Sequence, residues 1–165
     1  MRKITIQEFN VNTPMIIGRE WMLVTSGNLD NHNTMTASWG GLGHLWNKDV
    51  AFVFVRPQRY TYGFVEKNEY MTLSFYDSSY REALTVLGTK SGRDTDKEAE
   101  VNFHPIQVGE SVAFEEAKYI LKCRKLYADD LKEDSIFDEK VAACYPNKDY
   151  HRMYVVEIEE IYVND

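Results

Sequence analysis

Between residues 33 and 61 the chain gathers the side chains best suited to chemistry. Asn33-Thr34-Met35-Thr36-Ala37-Ser38-Trp39 alternates, so a strand here presents Thr34, Thr36 and Ser38 to one side and Met35, Ala37 and Trp39 to the other. Hydroxyls at every second position supply short donors to a planar polar ligand, and the small Ala37 and Ser38 let that ligand approach the backbone. Further on, Arg56-Pro57-Gln58-Arg59-Tyr60-Thr61 sets two arginines around a proline at an expected helix start. Backbone N–H groups at a helix start, with guanidinium groups beside them, make a phosphate site. Together the two segments suggest a phosphorylated cofactor lying along a barrel edge. The plain alternatives are a half-buried strand whose threonines favour β structure and arginines that are surface charges at a turn.

Strands must position these residues. Residues 21–26 form the first convincing strand, and a turn of Gly, Asn and Asp over 27–33 returns the chain into 34–39 as an antiparallel hairpin. Residues 40–49, with His44 and Trp46, read as a loop that acts as a lid or an interface element. Gly40-Gly41-Leu42-Gly43 lacks the spacing of a dinucleotide fingerprint. Ala51-Phe52-Val53-Phe54-Val55 is apolar throughout and reads as a strand covered on both faces.

A short helix is expected at 60–67 and a strand at 70–76. Ser79-Tyr80-Arg81-Glu82 is a capping-box pattern opening a helix of about ten residues that Gly88 terminates. Thr95-Asp96-Lys97-Glu98 opens another short helix, ended by His104-Pro105. Strands resume from Ser111. Residues 119–127 alternate with Tyr119, Leu121, Cys123 and Tyr127 inward, 129–140 is acidic and loop-like, and 150–163 is the longest strand candidate. The first 19 residues read as an irregular lead-in with one short strand at 3–9. Strands broken by a few short helices, without βαβ alternation, describe a mostly-β barrel.

At 165 residues the chain has single-domain size, here taken as one domain over 1–165, and room for a sizeable core. A formal charge of −7 argues against a nucleic-acid backbone or an anionic membrane as partner, so any phosphate site is a local basic pocket on an acidic surface. Cys123 and Cys144 form no metal or disulfide pattern. No signal peptide or membrane span is read, so the expected location is cytoplasmic.

The segments 33–39 and 56–61 resemble the paired motifs of the flavin reductase-like, or flavoredoxin-like, family. Ser91-Gly92-Arg93-Asp94, followed by Asp96-Lys97, is similar to the segment that family carries after its barrel helix. The resemblance spans roughly residues 17–158. It implies an FMN-binding split β-barrel, antiparallel and of Greek-key type, with a few short peripheral helices, and a homodimer with FMN near the subunit interface. It also implies an oxidoreductase that passes reducing equivalents from NAD(P)H or a redox partner through FMN. The alternatives are a flavoredoxin-like electron carrier without nicotinamide turnover, or a non-enzymatic module for another planar cofactor.

Carried onto this sequence, the resemblance places Thr34, Met35, Thr36, Ala37, Ser38 and Trp39 along the isoalloxazine edge, and Arg59, Tyr60 and Thr61 at the phosphate. Arg56 braces the loop or reaches the phosphate too. Ser91, Gly92 and Arg93 either touch the cofactor or form a polar turn. Many family members carry Gly-Asp-His, four further residues, then Gly-Glu-Val; here the aligned residues are Asp149-Tyr150-His151 and Val156-Glu157-Ile158. His151 is thus the candidate catalytic residue, facing flavin or nicotinamide, or else a strand-end histidine at a dimer interface. The missing glycines and Tyr150 put the usual NAD(P)H docking in question. His32 and His104 are expected to do no chemistry, while His44 sits in the supposed lid.

Overall fold

The computed structural model describes residues 1–164. In chain order it contains β1 (Arg2–Ile4), α1 (Thr13–Gly18), β2 (Met22–Asn28), β3 (Asn31–Ala37), β4 (Gly40–Leu45), β5 (Lys48–Val55), α2 (Tyr60–Lys67), β6 (Tyr70–Phe75), α3 (Arg81–Thr89) and α4 (Lys97–Glu100). Then follow β7 (Pro105–Val108), β8 (Ser111–Phe114), β9 (Tyr119–Asp130), α5 (Glu139–Ala142) and β10 (Arg152–Val163).

One antiparallel sheet runs in the order β3-β2-β6-β9-β10-β5-β4, with β1 added to the far end of β10. Its two edges, β3 and β4, are consecutive in the chain and separated only by Ser38 and Trp39. The sheet therefore curls back on itself without closing: a mostly-β, split barrel with short helices outside it, as expected. The inner faces of the strands make the main core around Met22, Leu73, Phe75, Leu121 and Tyr154. The β7–β8 hairpin and α3 cover a second apolar cluster around Leu23, Leu84, Leu87, Phe103 and Phe114.

Several expectations need correction. Residues 40–49 are no lid: β4 and β5 form a hairpin whose turn places Trp46 and Asn47 at positive φ, and His44 pairs with Asp49 across it. The apolar stretch 51–55 is not covered on both faces. Ala51, Val53 and Val55 are buried, while Phe52 and Phe54 are half-buried, the alternation of a strand with one core face. Tyr127 points outward rather than in. Val155 pairs with Tyr127 but Val156 with Lys125, so Leu126 is an extra residue; the bulge reverses the alternation and brings Ala128 to the core instead.

The helix α1 was not foreseen, nor was β7, and the lead-in strand is three residues long. The strands also run further into the first hairpin than the turn composition indicated, leaving Leu29 and Asp30 as its tip. Gly88 does not terminate α3, which continues to Thr89; it lies where the helix crosses β3, and a Cβ there would meet the Thr36 Cβ at 2.9 Å. The Ser79–Glu82 box does not form as a cap either, since α3 begins at Arg81 after a single 3-10 turn. At α4 the capping residue is Asp96, whose carboxylate accepts from the Ala99 N–H at 3.1 Å.

Candidate functional site

The junction of the two sheet edges opens into a cleft. Its first part, about 200 Å³, is lined by Met35 through Trp39, by Phe54 and Arg56 at the end of β5, by Arg59, and by His151 just before β10. Its second part, about 120 Å³, continues from Met35 and Arg59 between the start of α2 and residues 88–97.

Apart from Arg59, which it shares with the second part, the first part carries no unpaired charge. Thr36 is not a free donor, because its hydroxyl is bonded to the Leu84 carbonyl of α3. Thr34 does not line the cleft at all. Its side chain is fully buried and shares a 2.8 Å hydrogen bond with the Thr25 hydroxyl opposite it on β2. Of the three alternating hydroxyls only Ser38 remains available to a ligand, so for Thr34 the reading as a plain strand residue holds.

His151 is buried, its ring 5.2 Å from Trp39 and 6.3 Å from Phe54, centroid to centroid. Its Nδ1 shares a 2.7 Å hydrogen bond with the Tyr145 hydroxyl. Burial, followed by the positive charge of Arg56, lowers its pKa to about 4, so the ring is neutral at pH 7. Trp39 itself is half exposed at the mouth.

Arg56 closes this part without adding free charge. It donates to the Asp149 carboxylate at 2.6 Å and to the Cys144 carbonyl at 2.9 Å, and its guanidinium lies over the Tyr145 ring. It braces the segment that carries His151, the first of the two roles expected for it.

The second part is cationic. The turn Arg56-Pro57-Gln58-Arg59 is closed by the Arg59 N–H to the Arg56 carbonyl, with proline at the position that favours this turn, and it feeds straight into α2. Arg59 is half-buried and donates to the Gly88 carbonyl at 2.9 Å. Burial depresses its pKa. Lys97 is buried and donates to the Leu87 carbonyl at 2.8 Å and the Lys90 carbonyl at 3.2 Å. Both cations are thus held at the C-terminal carbonyls of α3, the negative end of that helix. Burial, then the neighbouring Arg59 charge, lowers the Lys97 pKa to about 8.

Arg93 lies over the Tyr60 ring and donates to the Gln58 carbonyl at 3.2 Å. Lys90 pairs with Glu100 outside the cleft. The lining of this part includes no acidic side chain. Gly92 closes its wall: a Cβ there would lie 2.1 Å from the Asn33 Oδ1, so only glycine allows the loop this close. Asn33 in turn donates to the Thr61 hydroxyl at 2.7 Å, tying the end of β3 to the helix start.

Thr36, Ala37, Ser38, Trp39, Arg56 and His151 therefore converge on one part, Tyr60, Thr61, Ser91, Gly92 and Arg93 on the other, and Met35 and Arg59 line both. Sequence reasoning did not single out Asn33, Phe54, Lys90 or Lys97 as site residues. The recurrence of Lys90, Arg93 and Lys97 in an otherwise acidic chain was the available signal for the cationic wall. His32, expected to be idle, is half-buried and shares a 2.9 Å contact with the Glu98 carboxylate, which ties the hairpin to α4. Among the described residues no cluster of His, Cys, Asp and Glu has metal-ligand geometry.

The family model of the flavin reductase like domain matches residues 16–165. The chain belongs to the flavin reductase-like family. No curated protein matches the sequence. Among solved structures, flavoredoxin from Methanosarcina acetivorans is similar with a TM-score of 0.69 at 20% identity, over 100% of this chain and 77% of that one. Flavoredoxin of Desulfovibrio vulgaris (Miyazaki F) also gives 0.69, at 18% identity over 88% and 69% of the two chains. An FMN-binding protein from Thermus thermophilus with bound p-hydroxybenzaldehyde gives 0.69 at 18% identity, over 100% and 83%. At these identities the likeness is one of fold, and it agrees with the split barrel.

Proposed function

We propose that this protein is an FMN-dependent oxidoreductase of flavin reductase type, which takes reducing equivalents from NAD(P)H or a redox partner. The observation that carries the reading is the pairing of the two parts of the cleft. A neutral, aromatic part opens into a cationic part that has no acid to balance it. That pairing fits a ligand with a flat heteroaromatic system at one end and a phosphate at the other. Family membership and the FMN-binding neighbour support the same ligand.

Arg59, Lys97, Arg93 and the start of α2 hold the phosphate, and Gly92 keeps the wall close to it. Ala37 and Ser38 give the ring access to the β3 backbone. Once bound, FMN supplies the hydride and one-electron chemistry. The chain's own contribution is to hold, orient and exclude water. His151 presents a neutral ring, fixed through Nδ1 by Tyr145, and no bond among the described residues engages its Nε2. That nitrogen positions the donor or the flavin edge without bringing charge into the neutral part. The half-exposed Trp39 and Trp46 favour a homodimer with the cleft mouth near its interface. We place the protein in the cytoplasm.

The test is a titration of the flavin-free protein with FMN and riboflavin, followed by NADH or NADPH. Charge-assisted hydrogen bonds contribute on the order of 1.5–3 kcal/mol each, and 1.4 kcal/mol is about tenfold. FMN should therefore bind at least about tenfold more tightly than riboflavin. Equal affinities would defeat the phosphate assignment. Bleaching of the flavin band by a nicotinamide supports the enzyme, whereas a loaded protein that no nicotinamide reduces is an electron carrier.

A further inference from the structure

His151 is held from one side only. Its Nδ1 shares a 2.7 Å hydrogen bond with the Tyr145 hydroxyl, while no hydrogen bond among the described residues engages Nε2. Nor is Nε2 one of the buried atoms left without a partner, so it opens onto the cleft that the ring lines. A histidine that only fills a wall has its polar atoms satisfied within the protein. Here one nitrogen is satisfied and the other is presented.

The chain between α5 and β10 brings Tyr145 to this place. Asp138 caps α5, its carboxylate accepting from the Lys140 and Val141 N–H groups. The Tyr145 N–H then donates to the Ala142 carbonyl at 3.0 Å, and its carbonyl accepts from the Lys148 N–H at 3.1 Å. Lys148 takes a positive φ, which turns the chain back towards β10. Arg56 grips the segment on both sides of the tyrosine, through the Cys144 carbonyl and the Asp149 carboxylate. The phenol is buried, its ring 4.9 Å from that of Tyr150. Tyr145 is thereby fixed in backbone and in ring.

Which atom carries the proton follows from the chemistry of the pair. An unprotonated imidazole nitrogen is a better acceptor than a phenol oxygen, and a phenol hydroxyl is a better donor than a neutral imidazole N–H. The Arg56 guanidinium, 4.9 Å from the centre of the Tyr145 ring, strengthens the phenol as a donor. The His151 backbone N–H faces the same oxygen and takes up its accepting capacity. The hydroxyl proton therefore points at Nδ1, and the one proton of the neutral ring sits on Nε2.

We propose that Tyr145 is a positioning residue for this site: it locks His151 as the Nε2–H tautomer, so the cleft offers its ligand one uncharged hydrogen-bond donor beside the rings of Trp39 and Phe54. The inference rests on the flavin reading for its ligand but not for its tautomer. The ligand edge laid against His151 carries a lone pair, from a carbonyl oxygen or an unprotonated ring nitrogen, and an edge bearing N–H is turned away. A flavin has both kinds of edge, so the pair selects one orientation of the ring. It orients and does not shuttle protons. With the His151 pKa at about 4 and that of Tyr145 raised by burial, neither imidazolium nor phenolate forms at pH 7.

The experiment is a nitrogen–proton correlation spectrum of protein carrying isotope-labelled histidine, recorded at pH 7 for wild type and Tyr145→Phe, without and with FMN. His151→Gln removes one of the four histidine signals and so assigns it. Wild-type His151 should show one tautomer, protonated on Nε2, whose N–H resonance moves when FMN binds. Tyr145→Phe keeps the buried ring and loses only the hydroxyl, so both tautomers should appear. The FMN-loaded variant should be reduced by NADH or NADPH about tenfold more slowly at saturation, the loss of one hydrogen bond, with FMN affinity within about twofold. A proton on Nδ1 in the wild type would overturn the proposal. So would an unchanged tautomer in the variant, which makes Tyr145 a space-filling residue. An Nε2–H resonance that FMN leaves in place, or reduction at the wild-type rate once the tautomers have mixed, would overturn the positioning role while the flavin site stands. Failure of FMN to bind would remove the proposed function, and the spectrum of the flavin-free protein would still decide the lock.

Discussion

The two parts of the cleft share a wall and differ in how they treat charge. Around His151 the charges are answered, apart from Arg59 at the junction of the two parts: Arg56 is bonded to Asp149, and burial holds the imidazole neutral. Around Lys97 the cations Arg59, Arg93 and Lys97 are answered by backbone carbonyls, with only Lys90 paired to an acid, Glu100, and no carboxylate lines the space. Carbonyl dipoles orient a cation without neutralising it, so the net field remains for a ligand to meet. Two arginines three residues apart thus have opposite functions, and the difference lies in their partners rather than in their residue type. The neutral part suits chemistry on an aromatic ring; the cationic part suits affinity.

If that division is right, substitutions should separate rate from affinity. The largest effect is expected from His151→Ala. Loss of one positioning contact can cost about a hundredfold in hydride transfer, so reduction by NADH or NADPH should slow by about that factor while FMN stays bound. Stopped-flow reduction, run beside light scattering on the same sample, reads both. Normal reduction in a protein of unchanged size would make His151 a bystander. A fall in molecular mass together with loss of FMN would make it an interface residue.

The complementary break is in the cationic part. Arg59→Ala should raise the dissociation constant for FMN about tenfold or more while leaving the reduction rate of the saturated protein unchanged. Arg59 is not the solvent-facing arginine its place at a turn suggested, since it is half-buried against Gly88. Losing that bond should cost about 1 kcal/mol, or roughly 2–4 °C in the melting temperature of the flavin-free form. A change in reduction rate at saturating FMN would collapse the distinction between the two parts.

The legibility of the molecule in its sequence follows the same line. The hairpin of β2 and β3, the helix α2 and the long β10 were readable because alternation, turn residues and a proline-led helix start are local signals. The bulge at Leu126 and the capture of the Thr34 hydroxyl by Thr25 were not, since each depends on a partner strand distant in the chain or on register. The cationic wall was half legible. Arg59 announces itself beside Pro57, but Lys97 looks like a surface lysine in a capping sequence until α4 folds it under α3. Motif resemblance supplied the rest, because no periodicity says that residues 33–39, 56–61 and 91–97 meet.

Lys97 also gives the cationic part a pH signature of smaller size. Its pKa is about 8 in the folded protein against 10.5 ordinarily. Between those values the unfolded chain holds more protons, so the stability of the flavin-free protein gains from this group as pH rises from about 8 to 10.5. Below about 8 both states are protonated and the cost of burying the ammonium is present in full. A phosphate dianion beside it favours the charged form, so FMN binding takes up a proton in this window, and affinity should fall a few-fold as pH rises above 8. Lys97→Met should flatten that dependence, seen by titrating FMN from pH 7 to 10. An unchanged slope in the variant would remove Lys97 from the phosphate site.

The smallest effect on binding is expected from Arg56→Gln, and it is the sharpest test of the comparison. If Arg56 is a brace whose charge Asp149 already absorbs, FMN affinity should stay within about twofold, because a paired surface-side charge contributes little to a distant anion. The change should appear at His151 instead. Its pKa is lowered first by burial and then by the Arg56 charge, while Asp149 acts in the opposite direction. Removing the guanidinium takes away one depressing influence and leaves the carboxylate unopposed, so the imidazole should titrate above its wild-type value of about 4. The folded protein then competes better for that proton, and the acid loss of stability between the ordinary value of 6.5 and the folded one should narrow. Ring-proton chemical shifts of His151 against pH, measured in both proteins, read this directly. A tenfold loss of FMN affinity with an unmoved His151 would place Arg56 in the phosphate site and erase the boundary between the two parts.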